Sequence, residues 1–147
     1  MSPLNSPLNS QLNSLIKYFE GLSPELLVLI GGVYTDNAYF KDPFNEVRGI
    51  AQVKNIYLRR FSTYRQPYMK VRQSFTGADG TALRWDLTFS LGAMTRTISG
   101  MTLLRLDYNG RIEYHRDFWD ATEAIYAKIP GMSAVMRYAK RKASVAA

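Results

Sequence analysis

The stretch LLRLDYNGRIEYHRDFWD, residues 103–120, has the pattern of two β-strands joined by a tight turn at Asn109-Gly110. Asn-Gly between two extended runs is a strong signal for a β-hairpin. In the second run, strand alternation places Glu113, His115, Asp117 and Trp119 on one face. A half-buried strand of the ordinary kind separates polar from apolar residues more cleanly. The stretch therefore predicts a hairpin whose second strand carries a carboxylate without an obvious structural reason.

A second hairpin is predicted immediately upstream. Residues 68–91, YMKVRQSFTGADGTALRWDLTFSL, form two extended runs around the turn Gly77-Ala78-Asp79-Gly80. The two hairpins together predict a meander of four antiparallel strands. Periodicity alone does not decide which face of the strand at residues 81–91 is directed toward the interior, because a face that lines a cavity can itself be polar.

The first third of the chain is predicted to be mainly helical. A helix is expected from about Leu12, and a second one in SPELLVLI, with Ser23 as its N-cap and Pro24 in its first turn. NAYFKDP reads as a short strand that ends at Asp42-Pro43, and Gly49 leads into a third helix. Two further helical segments, ATEAIYAKI and the basic GMSAVMRYAKRK, follow the meander.

This order of elements predicts an α+β fold. A strongly curved, cone-shaped sheet, antiparallel or mixed, would carry helices on its concave face and enclose a pocket. We expect a low-complexity extension at residues 1–13, one domain at 14–130, and a basic C-terminal helix or tail at 131–147.

Composition excludes several kinds of chemistry. The chain has no cysteine and a single histidine, so disulfides, thiolate nucleophiles and histidine-based metal sites are not expected. We therefore expect no metal and no cofactor. No apolar run approaches the roughly 20 residues that cross a bilayer, and the N-terminus lacks the order of a secretory signal. We expect a cytoplasmic protein without a membrane partner.

The chain is basic, with 19 lysines and arginines against 12 aspartates and glutamates. Much of this charge lies in YLRRFSTYRQPYMKVR, residues 57–72, and in the C-terminal RYAKRKASVAA. Arginine interleaved with tyrosine is typical of single-stranded nucleic-acid binders, but a solvated basic helix end gives the same pattern. We favour the helix end, and nucleic acid is not an expected partner.

Three charged residues are candidates for acid–base chemistry. Arg84 and Asp86 lie on one strand, and Asp117 follows Asp86 by 117 − 86 = 31 residues across the hairpin. Taken alone, the first two would form a surface ion pair of about 0–1 kcal/mol. If all three converge, two carboxyls near one arginine tend to share a proton, which supplies one acid and one base.

The segments YTDNAYFKDPFNEVRG, LRWD and LLRLDYNGRIEYHRDFWD, in this order and spacing, resemble the nuclear transport factor 2-like superfamily in its SnoaL-like and steroid delta-isomerase-like branch. The resemblance spans roughly residues 14–130. It implies the cone-shaped fold described above and a small-molecule pocket, and members of the superfamily are also dimeric interaction modules and ligand carriers.

One enzyme pattern in that branch resembles limonene-epoxide hydrolase. Arg84, Asp86 and Asp117 match its Asp-Arg-Asp set, which implies Asp117 as base and Asp86 as acid. The chain departs from this pattern at the two residues that would hold water, where Phe40 and Asp42 stand. It also has His115 where that family has a tryptophan.

A second pattern resembles ketosteroid isomerase. Asp42 matches the catalytic base, and Tyr18 matches the tyrosine that donates to the oxyanion, 42 − 18 = 24 residues earlier. The protonated carboxyl that assists this tyrosine would fall near Thr102. Each residue also has a structural interpretation: Asp42 as an Asx-turn residue, Tyr18 as a core ring, His115 as the partner of a carboxylate and Trp119 as core.

The sequence thus supports two hypotheses for function. The first is a cofactor-independent acid–base enzyme, of isomerase, cyclase or epoxide-hydrolase type, acting on an apolar substrate. The second is a non-catalytic ligand-binding or dimerisation domain of the same fold. A homodimer through the open face of the sheet is expected, with Trp85, Leu87 and Phe89 offered to the interface.

Overall fold

The computed structural model describes residues 7–121 and 131–145. In chain order the elements are α1 (Pro7–Glu20), a 3₁₀ helix (Leu26–Gly32), β1 (Tyr34–Lys41), β2 (Glu46–Arg48), α2 (Ile50–Thr63), β3 (Arg65–Gly77), β4 (Gly80–Leu91), β5 (Met94–Leu106), β6 (Ile112–Trp119) and α3 (Met132–Ala143).

One sheet of six strands, in the order β2-β1-β6-β5-β4-β3, forms the frame of the fold. All neighbouring strands are antiparallel except β1 and β6, which run parallel. The α+β class and the mixed sheet predicted from the sequence are confirmed.

Both predicted hairpins are present, and glycine makes their turns possible. Gly80 and Gly110 adopt φ values of 141° and 84°, which residues other than glycine rarely adopt. In the second turn, the Asp107 carboxylate accepts hydrogen bonds from the backbone N–H of Asn109 and of Arg111, both at 2.9 Å. These contacts fix the turn that brings β6 back along β5.

The core lies between the helices and the inner face of the sheet. From the helices, the buried side chains include Leu15, Phe19, Leu27, Val53 and Ile56, and from the sheet Ala38, Phe40, Leu83, Trp85, Leu104 and Ile112. Burial of the odd-numbered side chains Leu83, Trp85 and Phe89 establishes which face of β4 is directed inward.

Three local differences from the sequence expectations have simple causes. Helix α1 is described from Pro7 onward, and Leu12 is buried, so part of the predicted extension belongs to the fold. SPELLVLI gives a 3₁₀ helix, with the Ser23 hydroxyl accepting from the Leu26 N–H at 3.3 Å. Strand β2 is only three residues long and was not predicted.

After residue 121 the described residues are 131–145, and they contain α3, which confirms the predicted basic helix at Met132–Ala143. The predicted helix ATEAIYAKI lies, beyond its first residue, outside the described residues. Within the described ranges, no helix combines the length and the apolar character needed to cross a membrane.

Candidate active site

A cavity of about 440 Å³ lies between the inner face of the sheet and helix α2. Most of its wall is apolar or aromatic and includes Phe61, Met69, Leu83, Trp85, Leu87, Phe89, Ile98 and Trp119. Its polar lining includes Asp42, Arg60, Thr102, His115 and Asp117. An apolar cavity with a few convergent polar groups has the usual character of a small-molecule site.

Asp117 is held on the inner face of β6 by neighbouring strands. Its Oδ1 accepts a hydrogen bond from the Thr102 hydroxyl at 2.6 Å, and Thr102 lies directly opposite on β5. The Trp85 indole N–H donates to the same hydroxyl at 2.8 Å. His115, two residues earlier on the same strand face, has its Nε2 at 2.7 Å from Oδ1. These contacts orient a carboxyl that is 4% exposed.

Arg60 joins this carboxyl to a second one. Its Nη2 donates to Asp117 Oδ2 at 3.3 Å and to Asp42 Oδ2 at 3.1 Å. The guanidinium lies 5.3 Å from the centre of the Tyr57 ring and 5.8 Å from that of Phe40. Arg60 is 24% exposed, whereas both carboxyls are almost completely buried. A cation between two buried carboxylates lowers the cost of keeping them charged.

Asp42 is also part of the turn that follows β1. Its Oδ1 accepts from the backbone N–H groups of Phe44 and Asn45 at 2.8 and 2.7 Å, and from the Asn45 side-chain amide at 3.0 Å. Asp42 is therefore the Asx-turn residue of its structural interpretation. Its other oxygen, Oδ2, lies in the cavity wall and accepts a hydrogen bond from Arg60. The residue positions Arg60 and closes the turn at the same time.

A chain of hydrogen bonds extends from Asp117 into the core. His115 Nδ1 lies 2.8 Å from the Tyr34 hydroxyl, which lies 2.8 Å from the Tyr57 hydroxyl. Tyr34 and His115 are stacked at 21° with ring centres 5.9 Å apart. Tyr34 is fully buried and Tyr57 nearly so. This series of hydrogen bonds connects Tyr57 to Asp117, both of which line the cavity, through Tyr34 and His115 in the core.

The charge states follow from these contacts. Burial alone would raise the pKa of Asp117, but His115, Arg60 and Thr102 outweigh it and hold the pKa of this carboxyl well below its usual range. Burial alone would lower the pKa of Arg60, yet Asp117, Tyr57 and Asp42 raise it. Burial raises the pKa of Tyr57 and, with Tyr57 as neighbour, of Tyr34. Asp117 and Arg60 are therefore charged and both tyrosines protonated at neutral pH.

His115 is predicted to carry its hydrogen on Nε2. An ionised Asp117 offers only acceptors, so the nitrogen facing it must donate. Long-range ¹H–¹⁵N NMR of this single histidine reports the protonated nitrogen without assignment of any other residue. We expect a protonated Nε2 at neutral pH and loss of that preference in Asp117→Asn. A neutral ring protonated only on Nδ1 in the wild type would contradict the prediction.

The structure separates the predicted set Arg84, Asp86 and Asp117. Asp86 lies on the opposite face of β4, where it accepts from Arg72 at 2.9 Å and from Ser99 at 2.7 Å. Arg84 donates to Gln73 on that same face at 3.1 Å. The expected convergence of these three residues is wrong. Trp85 lies between Arg84 and Asp86 on β4 and is directed into the core, so strand alternation directs Arg84 and Asp86 outward.

Several other predicted residues have definite places. His115, Thr102 and Trp119 line the cavity as expected, whereas Phe40 lies fully buried behind it, against the His115 ring. Tyr18 is not among the residues that line the cavity; its hydroxyl donates to the Leu26 carbonyl at 3.1 Å. Tyr18 is therefore not placed as an oxyanion donor in the cavity; its hydroxyl joins α1 to the 3₁₀ helix.

The residues offered to a dimer interface also require correction. Trp85 and Phe89 are 2% and 3% exposed, and with Leu87 they line the cavity. They belong to the inner face, so they are unavailable for a contact through the outer face of the sheet. Homodimerisation itself stays a prediction.

The sequence did not indicate three residues that contact this polar cluster: Arg60, Tyr34 and Tyr57. Arg60 stands in the basic run that was interpreted as a solvated helix end. The helical spacing of Val53, Tyr57 and Arg60 would have placed it on the buried side of α2. Tyr34 had no comparable signal, because its partner His115 is 81 residues away in the chain.

The family described as SnoaL-like domain matches residues 15–115. The chain belongs to this family. The match runs from the second half of α1 to the middle of β6, so it includes Asp42, Arg60 and His115 and ends two residues before Asp117. A comparison with curated protein sequences gives no match.

Solved structures of the same fold are similar over most of their length. A candidate SnoaL-like polyketide cyclase from Jannaschia sp. CCS1 has a TM-score of 0.72 at 17% identity, covering 86% of this chain and 94% of its own. A protein with ketosteroid isomerase-like fold from Catenulispora acidiphila DSM 44928 gives 0.68 at 13%, covering 84% and 93%. An LEH-like epoxide hydrolase of M. tuberculosis gives 0.65 at 13%, covering 89% and 96%. At these identities the similarity establishes the nuclear transport factor 2-like fold alone.

Proposed function

We propose that this SnoaL-like protein is a cofactor-independent acid–base enzyme that moves a proton within an apolar small molecule, as an isomerase or cyclase does. The observation that carries the proposal is Asp117, an ionised carboxylate held in the wall of an apolar cavity beside a permanent cation. A carboxylate acts as a general base only when it is ionised and open to a bound molecule. Asp117 is ionised and lines the cavity, and its lowered pKa makes it a weaker base than an ordinary aspartate.

Asp117 also has room for one more hydrogen-bond donor. A carboxylate offers about four lone-pair sites. Among the described residues, Oδ1 accepts from Thr102 and His115, whereas Oδ2 accepts from Arg60 alone. Oδ2 can therefore accept a proton from a C–H or O–H of the substrate, and the carboxylic acid so formed can return that proton to another atom of the same molecule.

Arg60 supplies the second part of the mechanism. Removing a proton next to a carbonyl places negative charge on its oxygen, and a fixed cation nearby stabilises that charge. Since the pKa of Arg60 is raised, the guanidinium stays a donor and does not act as an acid at neutral pH. Asp42 holds the guanidinium at 3.1 Å and so sets its orientation toward Asp117.

The same contacts favour a proton shuttle over epoxide hydrolysis. Hydrolysis of an epoxide by acid–base catalysis needs one carboxyl to activate water and a second to protonate the oxygen. Both oxygens of Asp42 already accept from Arg60, Asn45 or the turn backbone. A shuttle needs only one available carboxyl, and Asp117 provides it. The epoxide hydrolase pattern was based on Asp86, which lies on the other face of β4.

The test compares turnover of 3-cyclohexenone to its conjugated isomer, followed by absorbance, with hydrolysis of cyclohexene oxide, followed by gas chromatography. We expect isomerisation, and a loss of about 10²–10⁴ in kcat for Asp117→Asn, the usual contribution of an acid–base group. Asp86→Asn is the matched control, since it makes the same change on the outer face, and it should retain full turnover. Hydrolysis that depends on Asp86 would contradict the proposal.

The second candidate is a ligand-binding domain without chemistry. It is favoured by the fact that Asp117 already makes three hydrogen bonds, as a purely structural carboxylate would. In that case Asp117→Asn alters the melting temperature or the retention of an apolar ligand such as cyclohexenone, and neither probe is converted by the wild type.

A further inference from the structure

The cavity is bordered along one side of helix α2 by polar side chains. Gln52, Asn55, Arg59 and Thr63 all line the cavity, and all four are exposed. They follow one another at intervals of three or four residues, so they form a single stripe along the helix. At a rise of about 1.5 Å per residue, this stripe is about 16 Å long. These four residues form the rim of the cavity, where its interior meets solvent.

The rim carries one positive charge and no negative charge. It consists of two amides, a hydroxyl and the Arg59 guanidinium, and helix α2 contains no aspartate or glutamate. Among the described residues, the Arg59 side chain forms no ion pair. Inside the cavity, by contrast, Arg60 already contacts Asp42 and Asp117. Arg59 is therefore a cation on the cavity wall that the interior network does not use.

The charges inside the cavity determine how an anionic ligand is oriented. Before any proton transfer, Asp42 and Asp117 share Arg60 as their cation, so these three groups carry a net negative charge. Both carboxyls are almost completely buried, and like charges repel one another more strongly where water does not screen them. A carboxylate of a ligand is therefore disfavoured at this end. It is favoured at the rim, while an apolar skeleton fits the aromatic interior.

We propose that Arg59 binds the carboxylate of the substrate, whose apolar skeleton occupies the cavity. The substrate class is then an apolar carboxylic acid, and Arg59 is the residue that selects it over neutral molecules of the same size. This inference rests on the function proposed above, because it concerns the same cavity. One arginine supplies one charge, which matches a singly charged carboxylate better than a doubly charged phosphate.

The rim also orients such a substrate toward Asp117. A guanidinium presents paired N–H groups that match the two oxygens of a carboxylate. Asn55, one turn before Arg59, and Thr63, one turn after it, add donors on the same stripe. In an apolar pocket, a few placed polar groups fix the orientation of the ligand. Binding at the rim therefore directs the far end of the skeleton, where the proton moves, to the carboxyl of Asp117 in the interior.

Isothermal titration calorimetry with 2-naphthaleneacetic acid and 2-naphthaleneacetamide tests the proposal, since the two compounds have the same rings and differ in charge at neutral pH. At low salt the wild type should bind the carboxylate about fivefold more tightly than the amide, the upper end for an exposed ion pair. Arg59→Met should remove this preference by weakening carboxylate binding about fivefold, with amide binding unchanged. Arg59→Lys keeps the charge but loses the paired donors, so it should retain part of the preference.

The matched control is Lys54→Met, which removes one positive charge from the same helix at a residue that is not among those lining the cavity. It should leave both affinities unchanged. Three outcomes overturn the proposal: equal losses of carboxylate and amide binding in Arg59→Met, the same loss of carboxylate binding in Lys54→Met, or a wild type without preference for the carboxylate, which includes no binding of either compound. Because these measurements need no turnover, such a result leaves the acid–base function standing, and inactivity toward 3-cyclohexenone leaves the binding result intact.

Discussion

Replacing Arg60 by methionine is expected to lower the free energy of unfolding by about 3 kcal/mol at neutral pH. The change leaves the carboxylates of Asp42 and Asp117 without their shared cation in an almost fully buried site. Removing one partner of a buried ion pair costs about 3–5 kcal/mol, and we take the lower end because Arg60 is 24% exposed. Urea unfolding measures the effect directly.

The pH dependence of this loss distinguishes charge from packing. In the wild type the pKa of Asp117 lies below its usual range. Its ionisation therefore stabilises the fold above the unfolded pKa of about 3.9, and this contribution is lost as the pH falls below that value. Without Arg60 the pKa of Asp117 rises, while His115 and Thr102 still lower it, so its protonation begins at a higher pH than in the wild type and removes the charge repulsion between Asp117 and Asp42. The difference in unfolding free energy between variant and wild type should shrink as the pH falls into the range where only the variant is protonated.

Two further variants complete this experiment. Arg60→Met combined with Asp42→Asn removes one of the two buried charges, so it should recover part of the lost stability. Arg59→Met changes the neighbouring arginine, which is exposed and forms no ion pair among the described residues, and it should stay within about 0.5 kcal/mol of the wild type. A loss for Arg60→Met that is independent of pH would mean that packing of the side chain, not its charge, stabilises the site.

The fold was predictable because its signals are local. The turns at Gly80 and Gly110 lie between runs of clear alternation, and Gly49 precedes a helix with regular apolar spacing. Elements without such signals were missed or displaced. The three-residue strand β2 is too short to show a period, and α1 begins before its apolar stripe does.

The site was only partly predictable, because it depends on which face of each strand is directed inward. The sequence indicated Asp117 and His115 because they are polar residues that share a strand face with the apolar Trp119. Arg84 and Asp86 were misplaced since β4 has one polar and one apolar face, and sequence alternation does not say which of them meets a cavity. Arg60 shows the same limit on a helix: a basic run interpreted as solvated contained one arginine directed toward buried carboxylates.

Gly100→Ala is expected to lower the free energy of unfolding by about 3 kcal/mol, the upper end of the usual cost of overpacking. Gly100 lies opposite Trp85 in the sheet, and an added Cβ would come within 3 Å of two carbons of the indole and of the Phe118 carbonyl oxygen. Neither neighbour yields easily, because Trp85 is 2% exposed and the carbonyl belongs to the adjacent strand.

The consequence should reach the candidate active site. Displacing the indole breaks the hydrogen bond from Trp85 to Thr102, which in turn orients Asp117. Gly100→Ala should therefore change tryptophan fluorescence and reduce turnover beyond what its lower stability explains at temperatures where it is fully folded. Gly77→Ala is the matched control: the added Cβ meets nothing within 4 Å, so stability and fluorescence should stay near those of the wild type. Equal effects for the two variants would show that loss of glycine in the sheet, not contact with Trp85, causes the destabilisation.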